Sequence, residues 1–184
     1  MKKLLGISLA MLLTVMAVAA YAAPSKTTGD MVQTDTVNMP AVVASVPTTD
    51  AAVEMAAKVT TDMGEKIAAG ITAAAYFGEN VQADIAAALP ADKDAATLVC
   101  NELVPLAISG YAEGMGDVMA KIQFATVYEK GQPVVALLGF VNGENVEWNV
   151  LKAQAIEGGL VELTIPADLA LKMTTQNALL AVLN

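Results

Sequence analysis

Between Val118 and Ile165 the apolar residues recur at every second position, in three separate runs. Val118, Ala120, Ile122 and Phe124 alternate with Met119, Lys121, Gln123 and Ala125. Val146, Trp148 and Val150 alternate with Glu147 and Asn149, and Val161, Leu163 and Ile165 with Glu162 and Thr164. A period of two gathers side chains on one face of a pleated strand; a helix, with its period of 3.6, would scatter them. The segment is therefore expected to be sheet. Asn142-Gly143 and Gly158-Gly159 fall beside these runs and supply the positive-φ residues that tight hairpin turns need. Hairpins join antiparallel neighbours, so the sheet is expected to be antiparallel.

Other runs extend it. Val134–Val141 and Ala178–Leu183 are continuously apolar, as strands buried on both faces would be. Leu98–Ile108 reads as a further strand, made edge-like or bulged by Pro105. "PADLALKM", from Pro166, reads as a short helix with proline in its tolerated first turn. Ahead of the strands the period changes. Asp50 is suited to a helix N-cap. Val53, Ala56, Ala57, Val59, Met63 and Ile67 then recur at helical spacing over 51–69, with Lys58, Thr61, Asp62 and Glu65 on the other side. "AGITAAAYFG" extends that helix up to Gly78, and a second helix over 79–89 ends at Pro90. The expected fold is α+β: a helical segment over 50–90, then an antiparallel, Ig-like β-sandwich of about six strands over 91–184. Residues 23–49, rich in Thr, Val and Ala around Pro40 and Pro47, read as an extended linker, with an arm strand pairing with another subunit as the alternative.

The first residues read as an address. Lys2 and Lys3 precede the apolar stretch Leu4–Val18, and Ala20-Tyr21-Ala22 is a small-x-small cleavage site, so residues 1–22 are expected to be a signal peptide cleaved near Ala22. The stretch is short for a membrane span of ~20 residues, which disfavours an uncleaved anchor. The product is expected to be secreted or to lie in the periplasm or cell envelope, with no membrane span after cleavage. Removing Lys2 and Lys3 leaves 8 of the 10 basic residues against all 19 acids, a net charge of 8 − 19 = −11. Such a charge repels nucleic-acid phosphates and anionic lipid, so no nucleic-acid partner is expected.

Composition also removes chemistries. The chain has no histidine and no arginine, so Ser–His, Cys–His and His-ligated zinc sites are excluded, as is bidentate phosphate clamping. Cys100, the only cysteine, is expected to be a buried structural thiol; a disulfide-linked dimer through it is the alternative. Ser109 with Lys121 has no surrounding motif of a Ser–Lys pair. Asp92 and Asp94 in "ADKDAAT" lack the spacing and glycine of a calcium loop. Carboxylate pairs are the remaining catalytic device, with Asp117, Glu129, Glu144, Glu147 and Glu162 in or beside the sheet. Aromatic residues, which sugar-cleaving sites use as platforms, make up only 4% of the chain, so these acids read better as solvated surface. Trp148, on the apolar side of its strand, reads as core filler rather than as a ligand platform. No catalytic, cofactor or metal residue is assigned.

The order "LPADKDAATLVCNELVPLAISGY", "GDVMAKIQFATVYEKGQPVVALLGFVNG", "VEWNVLKAQ" and "ALLAVLN" resembles uncharacterised small secreted proteins of anaerobic bacteria, over about residues 51–184. The resemblance implies secretion and a β-rich domain, and implies no activity and no site residue. The expected function is a non-catalytic secreted or envelope-associated module that binds a protein or glycan of the cell envelope, or has a structural role. The alternatives are a carboxylate-based hydrolase and a carrier of a small apolar ligand. Two carboxyls converging in a cleft would favour the hydrolase, and an apolar cavity the carrier.

Overall fold

The computed structural model describes residues 33–47, 49–124, 126–143 and 145–184. The chain is a mixture of helices and antiparallel sheet, in the order β1 (Gln33–Thr36), β2 (Val43–Ser45), α1 (Asp50–Ala68), α2 (Ala73–Tyr76), α3 (Glu79–Ala88), β3 (Cys100–Ser109), β4 (Val118–Gln123), β5 (Val135–Asn142), β6 (Asn145–Ala155), β7 (Leu160–Ile165), α4 (Ala167–Met173) and β8 (Ala178–Leu183). All six expected strands are present. They hydrogen-bond in the continuous order β1-β4-β7-β6-β5-β8-β3-β2.

The two outermost strands, β1 and β2, are consecutive in sequence and separated only by residues 37–42, so the ends of the sheet are drawn together. The result is a nearly closed sandwich or barrel of antiparallel strands. The corner is held locally. The Thr36 hydroxyl donates to the carbonyls of Met39 and Val42, and the Asn38 side chain clamps β4, donating to the Asp117 carbonyl at 2.7 Å and accepting from the Met119 amide at 2.9 Å. Within the expected linker, Gln33–Thr36 and Val43–Ser45 are therefore strands. Its two strands pair with β4 and β3 of their own chain. Residues 1–32, including the proposed signal peptide and cleavage site, lie outside the described residues.

The burial patterns follow from what covers each half of the barrel. Val118, Ala120 and Ile122 of β4, and Val161, Leu163 and Ile165 of β7, point inward, while their alternate residues are only half-buried. That half faces water outside, which is why its sequence alternates. β8 is buried at every position and β5 from Val135 to Phe140. Ala136, Leu138 and Phe140 of β5 and Ala178, Leu180 and Val182 of β8 fill the interior. Val135, Leu137, Leu179, Ala181 and Leu183 face the opposite way, against Ala56, Val59 and Met63 of α1 and Ala73, Ala74, Phe77 and Ile85 behind it. Burying a side chain such as Met63 or Ile85 completely contributes about 1.5–3 kcal/mol, so this second layer is an integral part of the fold.

Two sequence-based boundaries shift. Thr49, not Asp50, occupies the N-cap position of α1, without a side-chain cap bond, and Asp50 is the first helical residue. "AGITAAAYFG" does not prolong α1. The chain turns at Gly70 (φ +99°), and α2 restarts at Ala73 with the Thr72 hydroxyl accepting from the Ala75 amide. Pro105 behaves as expected: β2 ends opposite Ala107, so β3 runs there as an edge strand. A register shift between Cys100 and Glu102 also sets the two on opposite sides, Cys100 with Leu183 and Glu102 with Val182.

Candidate functional site

Between α1 and the β5–β6 hairpin the helical layer does not close on the sheet. It leaves an open groove of about 840 Å³, within the range of small-molecule sites. Ala51, Met55 and Val59 of α1 form one wall, four residues apart and hence on one face of the helix. Val141, Val146 and Trp148 of the hairpin form the other, and Tyr76 and Phe77 close the end. Glu54, Lys58, Asp62 and Lys66, again at four-residue spacing, make a charged rim along α1.

Three of the chain's eight aromatic side chains meet here. Phe77 packs edge-to-face on Trp148 at 4.9 Å between centroids and 84°, and Tyr76 packs on Phe77 at 5.4 Å and 85°. Gly139 makes room for the indole. Trp148 is its cross-strand partner, and a Cβ on Gly139 would lie 2.6 Å from the indole Cζ3 and from Val146 Cγ1. Trp148 thus stands beside Val146 and Val150 and packs against the buried layer, as the alternation suggests. It is only half-buried, however, and the remainder lines the groove. The expectation of core filler is right about its face and incomplete about its surroundings.

The rim has its own network. Lys66 Nζ and the Tyr76 hydroxyl both donate to Asp62 Oδ2 at 2.9 Å, and Lys66 lies 5.2 Å from the Tyr76 ring centroid. The hydrogen bond from Lys66, supplemented by that from Tyr76, holds the Asp62 carboxyl below the usual carboxylate range. Burial, and then the bond to Asp62, pushes the Tyr76 phenol above its ordinary range. Asp62 therefore stays ionised and its acceptor oxygen is occupied, which unfits it to donate a proton. The other acid of the groove, Glu54, is eight residues away on α1, about 12 Å along the axis at ~1.5 Å per residue. Carboxyl pairs of glycosidases sit about 5–9.5 Å apart.

The other singled-out residues are dispersed. Asp117 Oδ1 accepts from the Ala167 amide at the start of α4, Glu129 is exposed in the loop before β5, and Glu147 pairs with Lys172 at 2.8 Å. Glu162, on the outer face of β7, accepts from Gln154 and lies 4.0 Å from Lys121. Glu144 lies outside the described residues. None of the four described acids lines the groove. Lys121 belongs to β4, which does not neighbour the β3 of Ser109. Asp92 pairs with Lys93, and Asp94 caps the turn over 95–97. Among the described residues no cluster of three or more His, Cys, Asp or Glu could hold a metal.

Cys100 is 2% exposed, and burial, ahead of the neighbouring Glu102 charge, pushes its thiol up to about 12. A disulfide between two copies would require β3 to be uncovered first. Glu102, also 2% exposed, is the one charged side chain among the buried described residues. It accepts from the Thr126 amide at 3.2 Å and so ties the loop after β4 to the barrel wall. Burial, and then the neighbouring Glu102 charge, raises the buried Tyr128 phenol above its ordinary range, while the nearby side chains of Asn101 and Thr126 oppose the shift. No helix of the described residues is long and apolar enough to cross a membrane. Compared with protein-family models, curated proteins and solved structures, the chain finds no match.

Proposed function

We propose that this protein is an exported, non-catalytic binding module that carries a small, partly apolar ligand in the groove between α1 and the β5–β6 hairpin. The observation that carries this reading is the chain of rings Tyr76–Phe77–Trp148 opening into that groove, in a protein otherwise poor in aromatics. Aromatic rings offer a large, rigid apolar surface, and edge-to-face packing fixes them before a ligand arrives. The separation of Glu54 from Asp62 and the engaged state of Asp62 favour carriage over hydrolysis. Export is supported by Lys2-Lys3, the apolar stretch after them and Ala20-Tyr21-Ala22.

The test is titration with the neutral fluorophore N-phenyl-1-naphthylamine. It should bind at one site, brighten, and quench Trp148. Met55→Trp, which fills the groove from the helix wall, should abolish the probe's brightening without lowering the melting temperature. Brightening that survives Met55→Trp would sink the groove assignment, and an exported form retaining Lys2 by mass spectrometry would sink the export assignment.

A further inference from the structure

Acids outnumber bases by 19 to 10 in this chain, so an unpaired acid is ordinary and an unpaired lysine is not. Lys66, Lys93, Lys121, Lys130 and Lys172 each lie within 4.0 Å of a carboxylate. Among the described residues only Lys58 and Lys152 carry no ion pair, and of these two only Lys58 lines the groove. Its neighbours one turn away are Glu54 and Asp62. Asp62 is already engaged by Lys66 and Tyr76. An exposed pairing with Glu54 four residues away would be weak in water and easily displaced by a ligand. The groove thus combines an apolar floor with one available cation at its edge.

We propose, resting on the binding reading above, that the groove selects an amphipathic carboxylic acid. Its apolar body lies on Met55, Val146 and Trp148, and its carboxylate meets the Lys58 ammonium. The aromatic floor supplies affinity for any apolar body, and Lys58 supplies the preference for an anion. Carboxylate recognition by a point charge at an open rim is loose in geometry, which fits a carrier more than a catalyst. The overall negative charge of the protein opposes anions at long range. That repulsion is screened beyond ~8 Å at physiological salt, so the local cation decides.

Octanoate and 1-octanol are both eight-carbon chains, and neither absorbs where Trp148 emits, so Trp148 fluorescence reads both. Octanoate should bind at least tenfold more tightly than octanol to the full-length purified protein. Lys58→Met should erase that preference and leave octanol unchanged, while Lys152→Met should change neither. Equal binding of acid and alcohol, unaltered by Lys58→Met, would overturn the anion selectivity and leave the groove as a purely apolar site. Preferential binding of octylammonium would overturn it too and shift attention to Glu54. An apolar peptide with a free C-terminal carboxylate binding a hundredfold more tightly than octanoate would replace the small acid by a chain terminus. If neither octanoate nor octanol binds, the binding reading itself fails.

Discussion

Gly139→Ala tests the seating of the groove's central ring. Position 139 is the middle of a strand, where alanine normally improves on glycine by about 0.5–1 kcal/mol through the entropy of the unfolded chain. Here the added Cβ would stand 2.6 Å from Trp148 Cζ3 and Val146 Cγ1 and 2.7 Å from Trp148 Cε3. Comfortable carbon contacts are about 3.5–4.0 Å, so the indole has to retreat by roughly 1 Å. Phe77 blocks one way out, packed edge-on at 4.9 Å. Overpacking of this kind costs about 1–3 kcal/mol, enough to lower the melting temperature by roughly 3–10 °C for a domain of this size. Urea denaturation followed by Trp148 emission should show the lower midpoint and a red-shifted native spectrum, since the ring moves toward solvent. In a Val146→Ala/Trp148→Ala background the clashing atoms are gone, and the same substitution should become neutral or stabilising. A loss that persists undiminished in that background, followed by circular dichroism, would refute the steric account.

Gly110→Ala should cost about 1–3 kcal/mol, because φ is +77° there and the new Cβ would fall 2.2 Å from the Ala41 carbonyl oxygen; an unchanged urea midpoint would contradict this. Glu102→Ala should destabilise by about 1–3 kcal/mol by orphaning the Thr126 amide, and Glu102→Gln, which keeps an acceptor oxygen, by less. Equal effects in equilibrium unfolding would deny the hydrogen bond its role. Alkaline stability gives a third test. The Cys100 thiol ionises near 9 unfolded and near 12 folded, so the folded state keeps its proton longer. Its contribution is complete below about pH 9 and is lost as pH rises, by up to about 1.4 kcal/mol per unit. Tyr76 and Tyr128, also raised, act in the same direction. Cys100→Ala should flatten the slope of stability between pH 9 and 11, and parallel curves would exclude the thiol as its source.

The strands of the alternating half were legible because one face meets water and the other meets core, so each residue reports its side. β5 and β8 were legible as doubly buried, although nothing in their letters says that helices provide the cover. β1 and β2 escaped because "QTDT" and "VAS" are too short to show a period, and their partners are distant in sequence, Gln33 with Gln123 and Val43 with Ser109. The groove escaped for a related reason. Tyr76 and Phe77 read as part of an alanine-rich helix, and only tertiary packing brings them to Trp148. One signal was available. Gly139 interrupts an otherwise unbroken apolar strand, and glycine there marks the close approach of a neighbouring group. Glu102 was equally visible, as a lone acid in the apolar run Leu98–Ile108.

The position of β8 sets a timetable. Residues 178–183 follow every other strand in sequence yet lie between β5 and β3, in the middle of the sheet. During synthesis the β5 and β3 edges lack their shared neighbour until those residues emerge. The barrel cannot close early around a partial chain. Delay leaves two apolar edges open to pairing with other chains. A nascent chain halted before Ala178 is therefore the form that would need a chaperone.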